Sequence, residues 1–518
     1  MSTHWDAIVV GSGFGGSIAA LRLAQAGKSV LVLERGKRYR PGEFPRNPNN
    51  ADSLFFRQKR HPQSRGIYEL RSFSGIAAVV SAGVGGGSLI YANIHVRPDP
   101  IIFDDARWPR SFTRQSLDPY YDRVASMLEI GPLPATISLR KREVFREAAK
   151  SLNREVFDPD EAVAWTNAPA PGRSACKLCA ECEFGCQHGA KHTLDFTYLA
   201  KAESYGTQIQ PEVMVSHVEP INDGYRVLAK NLATGEDLSF TGRRVVLSAG
   251  TLGTNEIMFR SRDEARTLPN VSPQLGVGHS GNGDFLGSLQ NSSRSLEPWY
   301  GPDVTSVMRF FDKLPGFTLA APTFNRPVTE VLASLGQSNA SWARPLGPLV
   351  WPKLERILPW LFEKQLMSKP LKRPGPHAGP PDRMTNLFAI GQDNAGGRAF
   401  WKHGKLDIQW DYAAENADLV ERMMTAMREV AGAYGGRFAP LPTWDAFKRI
   451  ITVHPLGGCR LAETPEKGVV STNGEVFGHP GLFIADGSVI PTSIGFHPVM
   501  TISAVAERIA DAVVASYP

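Results

Sequence analysis

The chain has 518 residues, an apolar fraction of 42% and a formal net charge of +6; the length calls for more than one core, and the composition is that of an ordinary globular protein. The charge is mild over this length and no dense basic stripe interleaved with aromatics occurs, which excludes nucleic acid as the expected partner. No apolar run reaches the ~20 residues that span a bilayer, and the opening MSTHWDAIVVGSGFGG lacks the basic-then-apolar pattern of a signal peptide, so a soluble, cytoplasmic protein is expected.

Ala7–Val10 and Ser29–Leu33 are short apolar strand patterns. Between them Ser17–Gln25 carries Ala and Leu at helical spacing, with Gly27 placed to end the helix. This βαβ unit contains Gly11-Ser12-Gly13-Phe14-Gly15-Gly16, in which Gly11, Gly13 and Gly16 form G-x-G-x-x-G. In that context Gly11 permits the tight turn, Gly13 lets backbone approach a pyrophosphate, and Gly16 lets helix and strand pack closely. The phosphates then rest on a helix N-terminus, where unpaired N–H groups and the dipole favour an anion. Glu34 ends the second strand about 20 residues on, where an acid holds a ribose hydroxyl. A glycine-rich turn without a ligand is the plainer reading and leaves this combination unexplained. The motif does not separate FAD from NAD, since both carry the same pyrophosphate and ribose.

Further along, residues 36–75 read as loop, and residues 79–94 form a Gly-rich run flanked by apolar residues. Residues 98–175 mix helices with Pro-rich loops. Residues 207–247 read as a β-meander with turns at 222–224 and 234–236. Residues 320–385, rich in Pro and Trp, stand apart. Asp411–Tyr434 reads as a helix whose Met423, Met424 and Met427 are core filler rather than a ligand surface. Residues 482–516 return to strand, turn and helix.

Three later segments join the N-terminal motif: Gly83-Val84-Gly85-Gly86-Gly87-Ser88-Leu89-Ile90-Tyr91-Ala92-Asn93; Val245-Val246-Leu247-Ser248-Ala249-Gly250; and His454-Pro455-Leu456-Gly457-Gly458-Cys459 followed by Ala485-Asp486-Gly487-Ser488 and Gly495-Phe496-His497-Pro498. Together they resemble the glucose–methanol–choline (GMC) oxidoreductase family, within it the cholesterol-oxidase branch, over residues 7 to about 320 and about 385 to 515. The resemblance implies an α/β fold: a doubly wound, Rossmann-like FAD-binding domain plus an α+β substrate domain with an antiparallel sheet. The expected division is 1–110, 187–290 and 450–518 for FAD, 111–175 and 291–449 for substrate, with the cysteine cluster at 176–186. It places Gly11, Gly13, Phe14, Gly15, Gly16 and Glu34 on the cofactor, Gly87 and Tyr91 along the FAD, Val215 at the adenine side, and Asp486 and Gly487 toward the ribityl and pyrophosphate. Tyr91 departs from the Asn common in that branch.

Alcohol oxidation moves a hydride to the flavin, so the protein must position the substrate and handle a proton. A base with a pKa near the working pH handles that proton best, which favours His. Among twelve histidines, most read as structural; His454 and His497 fall in family motifs and are the expected catalytic pair. Either could be the base. The branch often has Asn at 497, and a His pair suggests broader primary or secondary alcohol oxidation. Leu319 stands where cholesterol oxidases carry an isomerising Glu, which implies oxidation without isomerisation. The expected substrate is lipophilic, sterol-like or long-chain. A plain oxidase producing peroxide, a catalytically inactive flavin electron-transfer protein and an NAD-dependent dehydrogenase are the alternatives.

Four of the five cysteines, Cys176, Cys179, Cys182 and Cys186, fall within eleven positions, with ferredoxin-like spacing. An iron–sulfur cluster, four free thiols and zinc are the readings, in that order. A cluster near the flavin would pass electrons to an acceptor protein or quinone. Leu346–Met367 mixes Trp and Leu with Lys353, Arg356 and Lys364. It reads as a lid or packed helix, with peripheral membrane contact as the alternative.

Overall fold

The chain's first strand, β1 (His4–Val10), lies parallel to β2 (Val30–Leu33) in a computed structural model that describes residues 4–46, 50–57, 62–323 and 381–518. Every residue of β2 is buried, as is Ala7–Val10 of β1, which explains their unbroken apolar character: strands covered on both faces do not alternate. Between them runs α1 (Phe14–Gln25). It ends in a Schellman closure, with Gly27 at φ +74, Gly27 N–H donating to Ala24 O and Lys28 N–H to Leu23 O.

These strands belong to a seven-stranded sheet in the order Gln208–Gln210, β2, β1, Asp237–Leu247, Gly224–Asn231, Val213–Ile221, with Leu482–Ile484 pairing parallel to Asp237–Leu247. The expected meander supplies its antiparallel edge. The C-terminal helix Val499–Ala515 packs on α1, where Arg22 donates through Nε and Nη2 to both oxygens of the buried Glu507, 2.7 Å each. A second, six-stranded sheet is wholly antiparallel and runs Arg437–Pro440, Phe285–Gln290, Thr385–Gly391, Phe317–Ala320, Val307–Phe310, Val156–Phe157. Both sheets share one continuous apolar core. The chain is therefore α/β, with the antiparallel sheet set against the doubly wound one.

Two local expectations change. Residues 36–75 are not all loop: they hold a short helix, Ala51–Leu54, and the strand Tyr68–Ser72. That strand is a five-residue edge with polar and exposed positions, too short to show a period. The Asp411–Tyr434 helix is two helices, Tyr412–Glu415 and Ala417–Ala433. Asn416 breaks it: its side chain donates to Tyr412 O at 3.2 Å and accepts from Asn394 N–H at 2.8 Å, so it competes for backbone groups. Met423 and Met427 are core residues. The 346–367 segment lies outside the described residues. Among the described residues no helix is long and apolar enough to cross a membrane.

Candidate active site

β1 lies between β2, to which the chain crosses next, and Asp237–Leu247, which joins its other edge much later in the chain. Crevices at such a reversal of strand order are where doubly wound sheets bind ligands. A cleft of about 430 Å³ opens there, within the roughly 300–1,000 Å³ usual for small molecules. Gly11 has φ +95, and a Cβ on it would lie 2.3 Å from Ser248 O; a Cβ on Gly15 would lie 1.4 Å from Ala485 O. Glycine therefore lets the loops at 11–15, 248–250 and 485–487 converge. The first N–H groups of α1, which have no intrahelical partner, face the cleft at Gly13–Gly15.

Glu34 receives Ser12 N–H at 3.0 Å, Ser12 Oγ–H at 2.6 Å and Gly36 N–H at 2.8 Å. This clamps the carboxylate at the end of β2, with lone pairs to spare for hydroxyls. Gly87 and Tyr91 form part of the facing wall, and Phe14 packs edge-on against Tyr91 at 5.6 Å. Met214 and Val215 line the far end, and Asp486 and Gly487 the near one. Asp486 accepts from Ser488 N–H at 2.9 Å and Thr254 Oγ–H at 2.6 Å, and its burial pushes its carboxyl up. Gly16 lies behind the wall, where a Cβ would come 2.0 Å from Gly11 O. A helix N-terminus for phosphates and a carboxylate for a ribose fit a dinucleotide such as FAD.

The cleft ends on His454 and His497, whose rings meet edge to face at 5.7 Å. His454 Nδ1 lies 2.8 Å from Asp284 Oδ1, and its ring stacks on Phe388 at 5.9 Å. Asp284 Oδ2 accepts from Thr452 Oγ–H at 2.9 Å and Val453 N–H at 2.8 Å, so the fully buried carboxylate cannot turn away. Burial, then the neighbouring His454 and His95, push His497 well below the usual histidine range and hold it neutral. Asn282 fixes its loop, accepting from Ile494 N–H at 2.8 Å and donating to Phe496 O at 2.8 Å. Asp393 in turn fixes the loop of Asn282 and Asp284, accepting from Gly281 N–H at 3.0 Å and Gly283 N–H at 2.9 Å. Asp284, Asn282 and Asp393 escape sequence reasoning; the only signal is the turn-like Gly281-Asn282-Gly283-Asp284. Around the histidines the wall is apolar: Ala92, Ile94, Val304, Pro322 and Phe388.

The four clustered cysteines lie along residues 176–186, of which only Cys182–Phe184 forms a helical turn, with Cys179 exposed and the others partly buried. Among the described residues no group of three or more His, Cys, Asp or Glu side chains is arranged to hold a metal ion. Burial pushes the Cys176 thiol up to about 12, and those of Cys179 and Cys182 up as well. The expected iron–sulfur set thus finds no support among the described residues.

A dinucleotide cleft on a doubly wound sheet, closed by a histidine pair beside an antiparallel sheet, defines an FAD-dependent oxidoreductase. The chain belongs to the GMC oxidoreductase family, whose N-terminal model matches residues 6–275 and whose C-terminal model matches residues 401–506. It is 30% identical to a cholesterol oxidase of Mycobacterium tuberculosis (strain ATCC 25618 / H37Rv), over 98% of this chain and 91% of that one. It is 24% identical to a long-chain-alcohol oxidase of Arabidopsis thaliana, over 99% of this chain and 67% of that one. The fold matches a crystal structure of pyridoxine 4-oxidase from Mesorbium loti with a TM-score of 0.66, at 18% identity, over 98% of this chain and 99% of that one.

Proposed function

We propose that the protein oxidises a lipophilic alcohol, sterol-like or long-chain, to the carbonyl compound. The observation that carries this reading is the histidine pair set in an apolar wall at the end of the dinucleotide cleft. The cholesterol and long-chain-alcohol oxidases among its relatives point to the same substrate class. When bound, FAD supplies the hydride acceptor. Gly11, Gly13, Phe14, Gly15 and Gly16 carry its pyrophosphate, Glu34 a ribose, Val215 the adenine side, Gly87 and Tyr91 the flavin side, and Asp486 and Gly487 the ribityl end.

His454 is the base. Its Nδ1–H donates to Asp284, which leaves Nε2 with a lone pair facing the cleft and stabilises the ring once it takes the hydroxyl proton. His497, neutral in its buried setting, hydrogen-bonds the same hydroxyl and orients the carbon toward the cofactor. The apolar wall excludes water and receives the hydrocarbon. The cysteines have no part in these steps. In this reading the doubly wound sheet holds FAD and the antiparallel sheet forms the substrate wall; the strand Phe285–Gln290, which the expected division counts with the FAD segments, pairs in the antiparallel sheet.

Anaerobic mixing of the purified flavoprotein with sterols and long-chain primary and secondary alcohols tests the reading. Bleaching of the flavin by members of this panel, and not by sugars or choline, is expected. A flavin that no lipophilic alcohol bleaches would overturn it. Admitting oxygen and assaying peroxide then separates an oxidase from a dehydrogenase that needs another acceptor.

A further inference from the structure

Lys191 is buried, 2% exposed, behind the stretch of cleft wall formed by Ile90, Tyr91 and Ala92. Lysine is almost never buried to this extent without a pairing carboxylate. Here the acceptors are instead backbone carbonyls: Nζ donates to Leu89 O at 3.2 Å, Tyr91 O at 2.8 Å and Cys182 O at 2.9 Å. A neutral amine has too few N–H bonds to serve all of them, whereas an ammonium has one for each. Burial pulls the amine's pKa down, and the nearby carboxyls of Asp303 and Glu183 oppose that. The carbonyl cage therefore holds a positive charge.

That charge is placed to act on the site. Nζ stands 4.7 Å from the centre of the Tyr91 ring, and Tyr91 packs edge-on against Phe14 of the nucleotide loop. Lys191 also acts electrostatically on His95, and His95 on His497. A buried acid lies close by. Asp303 immediately precedes the cleft-lining Val304; its Oδ2 accepts Glu183 N–H at 3.1 Å, and its Oδ1 has no partner. Among the described residues neither Asp303 nor any other carboxylate forms an ion pair with Lys191, so the charges act on their surroundings without cancelling in direct contact.

The cage has a mechanical side too. Leu89 and Tyr91 belong to the segment expected along the flavin, and Cys182 opens the turn Cys182–Phe184, whose Glu183 and Phe184 line the cleft. Lys191 thus ties both pieces of wall together. A tie needs only donors; a charge does more. The hydride leaving the alcohol carbon brings both electrons of its bond and the proton, while the hydroxyl proton goes to the base, so the flavin gains a unit of negative charge. In a water-poor interior a fixed cation favours that change and a fixed anion opposes it.

We propose that the Lys191 ammonium, held behind Tyr91 by Leu89, Tyr91 and Cys182 carbonyls, raises the reduction potential of the bound flavin, and that Asp303 lowers it. The proposal rests on the reading above that Tyr91 lies along the flavin. Neither side chain touches the cleft; each acts through the field it creates there.

Midpoint potentials of the FAD-loaded protein, measured by dye-coupled reduction at about pH 8, test this without any alcohol. In Lys191→Met, which keeps the chain length and removes the charge, the reduced form should be disfavoured about tenfold, a fall of about 30 mV for a two-electron couple. Lys191→Arg keeps the charge and should lie closer to the native value. Asp303→Asn, which keeps an oxygen for Glu183 N–H, should shift the potential upward. Sulfite, an anion that adds to oxidised flavin, should bind about tenfold more weakly to Lys191→Met and more tightly to Asp303→Asn. Loosening of the wall has no reason to give opposite signs in the two variants. Shifts of the same sign, a Lys191→Met potential within about 5 mV of native, or an equal fall in Lys191→Arg would reduce Lys191 to a structural tie. If Lys191→Met loses FAD, Asp303→Asn decides alone: a higher potential supports the proposal, and an unchanged or lower one overturns it. Unmoved potentials in a protein that oxidises lipophilic alcohols sink this proposal only, and a flavin that no alcohol bleaches leaves it standing.

Discussion

His454 and Asp284 are joined by a 2.8 Å contact between ring Nδ1 and carboxylate Oδ1. Asp284 is fully buried and also accepts from Thr452 Oγ–H and Val453 N–H. The ring is therefore fixed in one orientation and one tautomer. Asp284→Asn keeps the size, but an amide NH₂ then faces a donor and the imidazolium loses its counter-charge. Flavin reduction by alcohol should slow by about a hundredfold or more, with FAD content retained. Anaerobic rapid mixing checks this; a rate within about twofold of the native protein would remove Asp284 from the mechanism.

Acid should expose a second buried histidine. Burial lowers His279 to about 4, and its Nε2 has no partner. The unfolded chain therefore binds more protons than the folded one between about pH 6.5 and 4, and this residue's contribution to stability is lost as the pH falls through that window. Asp393, raised by burial to about 6, works in the opposite direction over much of the same range. The total pH profile thus hides each group, and a variant is needed. In His279→Gln the loss of stability from about pH 7 to pH 5 should be smaller than in the native protein by up to about 2 kcal/mol. Urea unfolding at both pH values gives that difference, and an unchanged loss would contradict it.

The cofactor half of the fold was legible because its constraints are local. Gly11 through Gly16 must admit backbone contact, and β2 must be apolar throughout, so both leave a pattern within a few residues. His454 and His497 were legible only through the family motifs around them. Asp284 was not legible at all: it lies 170 positions before His454, and an acid at the start of a strand has no period or spacing that marks it. Cysteine spacing, by contrast, does not say whether the thiols converge on one point, and among the described residues no group arranged to hold a metal ion forms.

Two glycines of the nucleotide loop should separate folding from cofactor binding. At Gly15 an added Cβ meets Ala485 O at 1.4 Å, so Gly15→Ala must displace either α1 or the loop carrying Asp486. At Gly13 the nearest atom, Gly86 Cα, is 4.0 Å away, and its φ of −71 suits alanine. Gly15→Ala should therefore destabilise the FAD-free protein by about 1–3 kcal/mol or more. Gly13→Ala should leave the FAD-free protein within about 0.5 kcal/mol yet weaken FAD binding, because its methyl enters the space of the pyrophosphate. Unfolding of both variants with and without added FAD decides. Native protein should gain about 2.7 kcal/mol at a hundredfold excess of FAD over its Kd, and Gly13→Ala clearly less at the same concentration.

The last prediction concerns the product. Leu319 is buried within the strand Phe317–Ala320 and contributes nothing to the cleft wall, so no carboxyl at that position can move a proton along the substrate. A β,γ-unsaturated sterol should therefore leave as the unconjugated ketone, which liquid chromatography separates from the conjugated enone. The cleft does contain carboxyls, and one of them is placed to be protonated. Glu183 lines it, and burial beside Asp303 pushes its pKa well up. If the conjugated enone appears at the rate of oxidation, Leu319 is irrelevant to isomerisation and Glu183 becomes the group to replace. Loss of the enone in Glu183→Gln, with flavin bleaching preserved, would then assign the isomerising proton to it. If the enone appears only slowly, and equally from added ketone without protein, the shift occurs in solution and the reading from Leu319 stands.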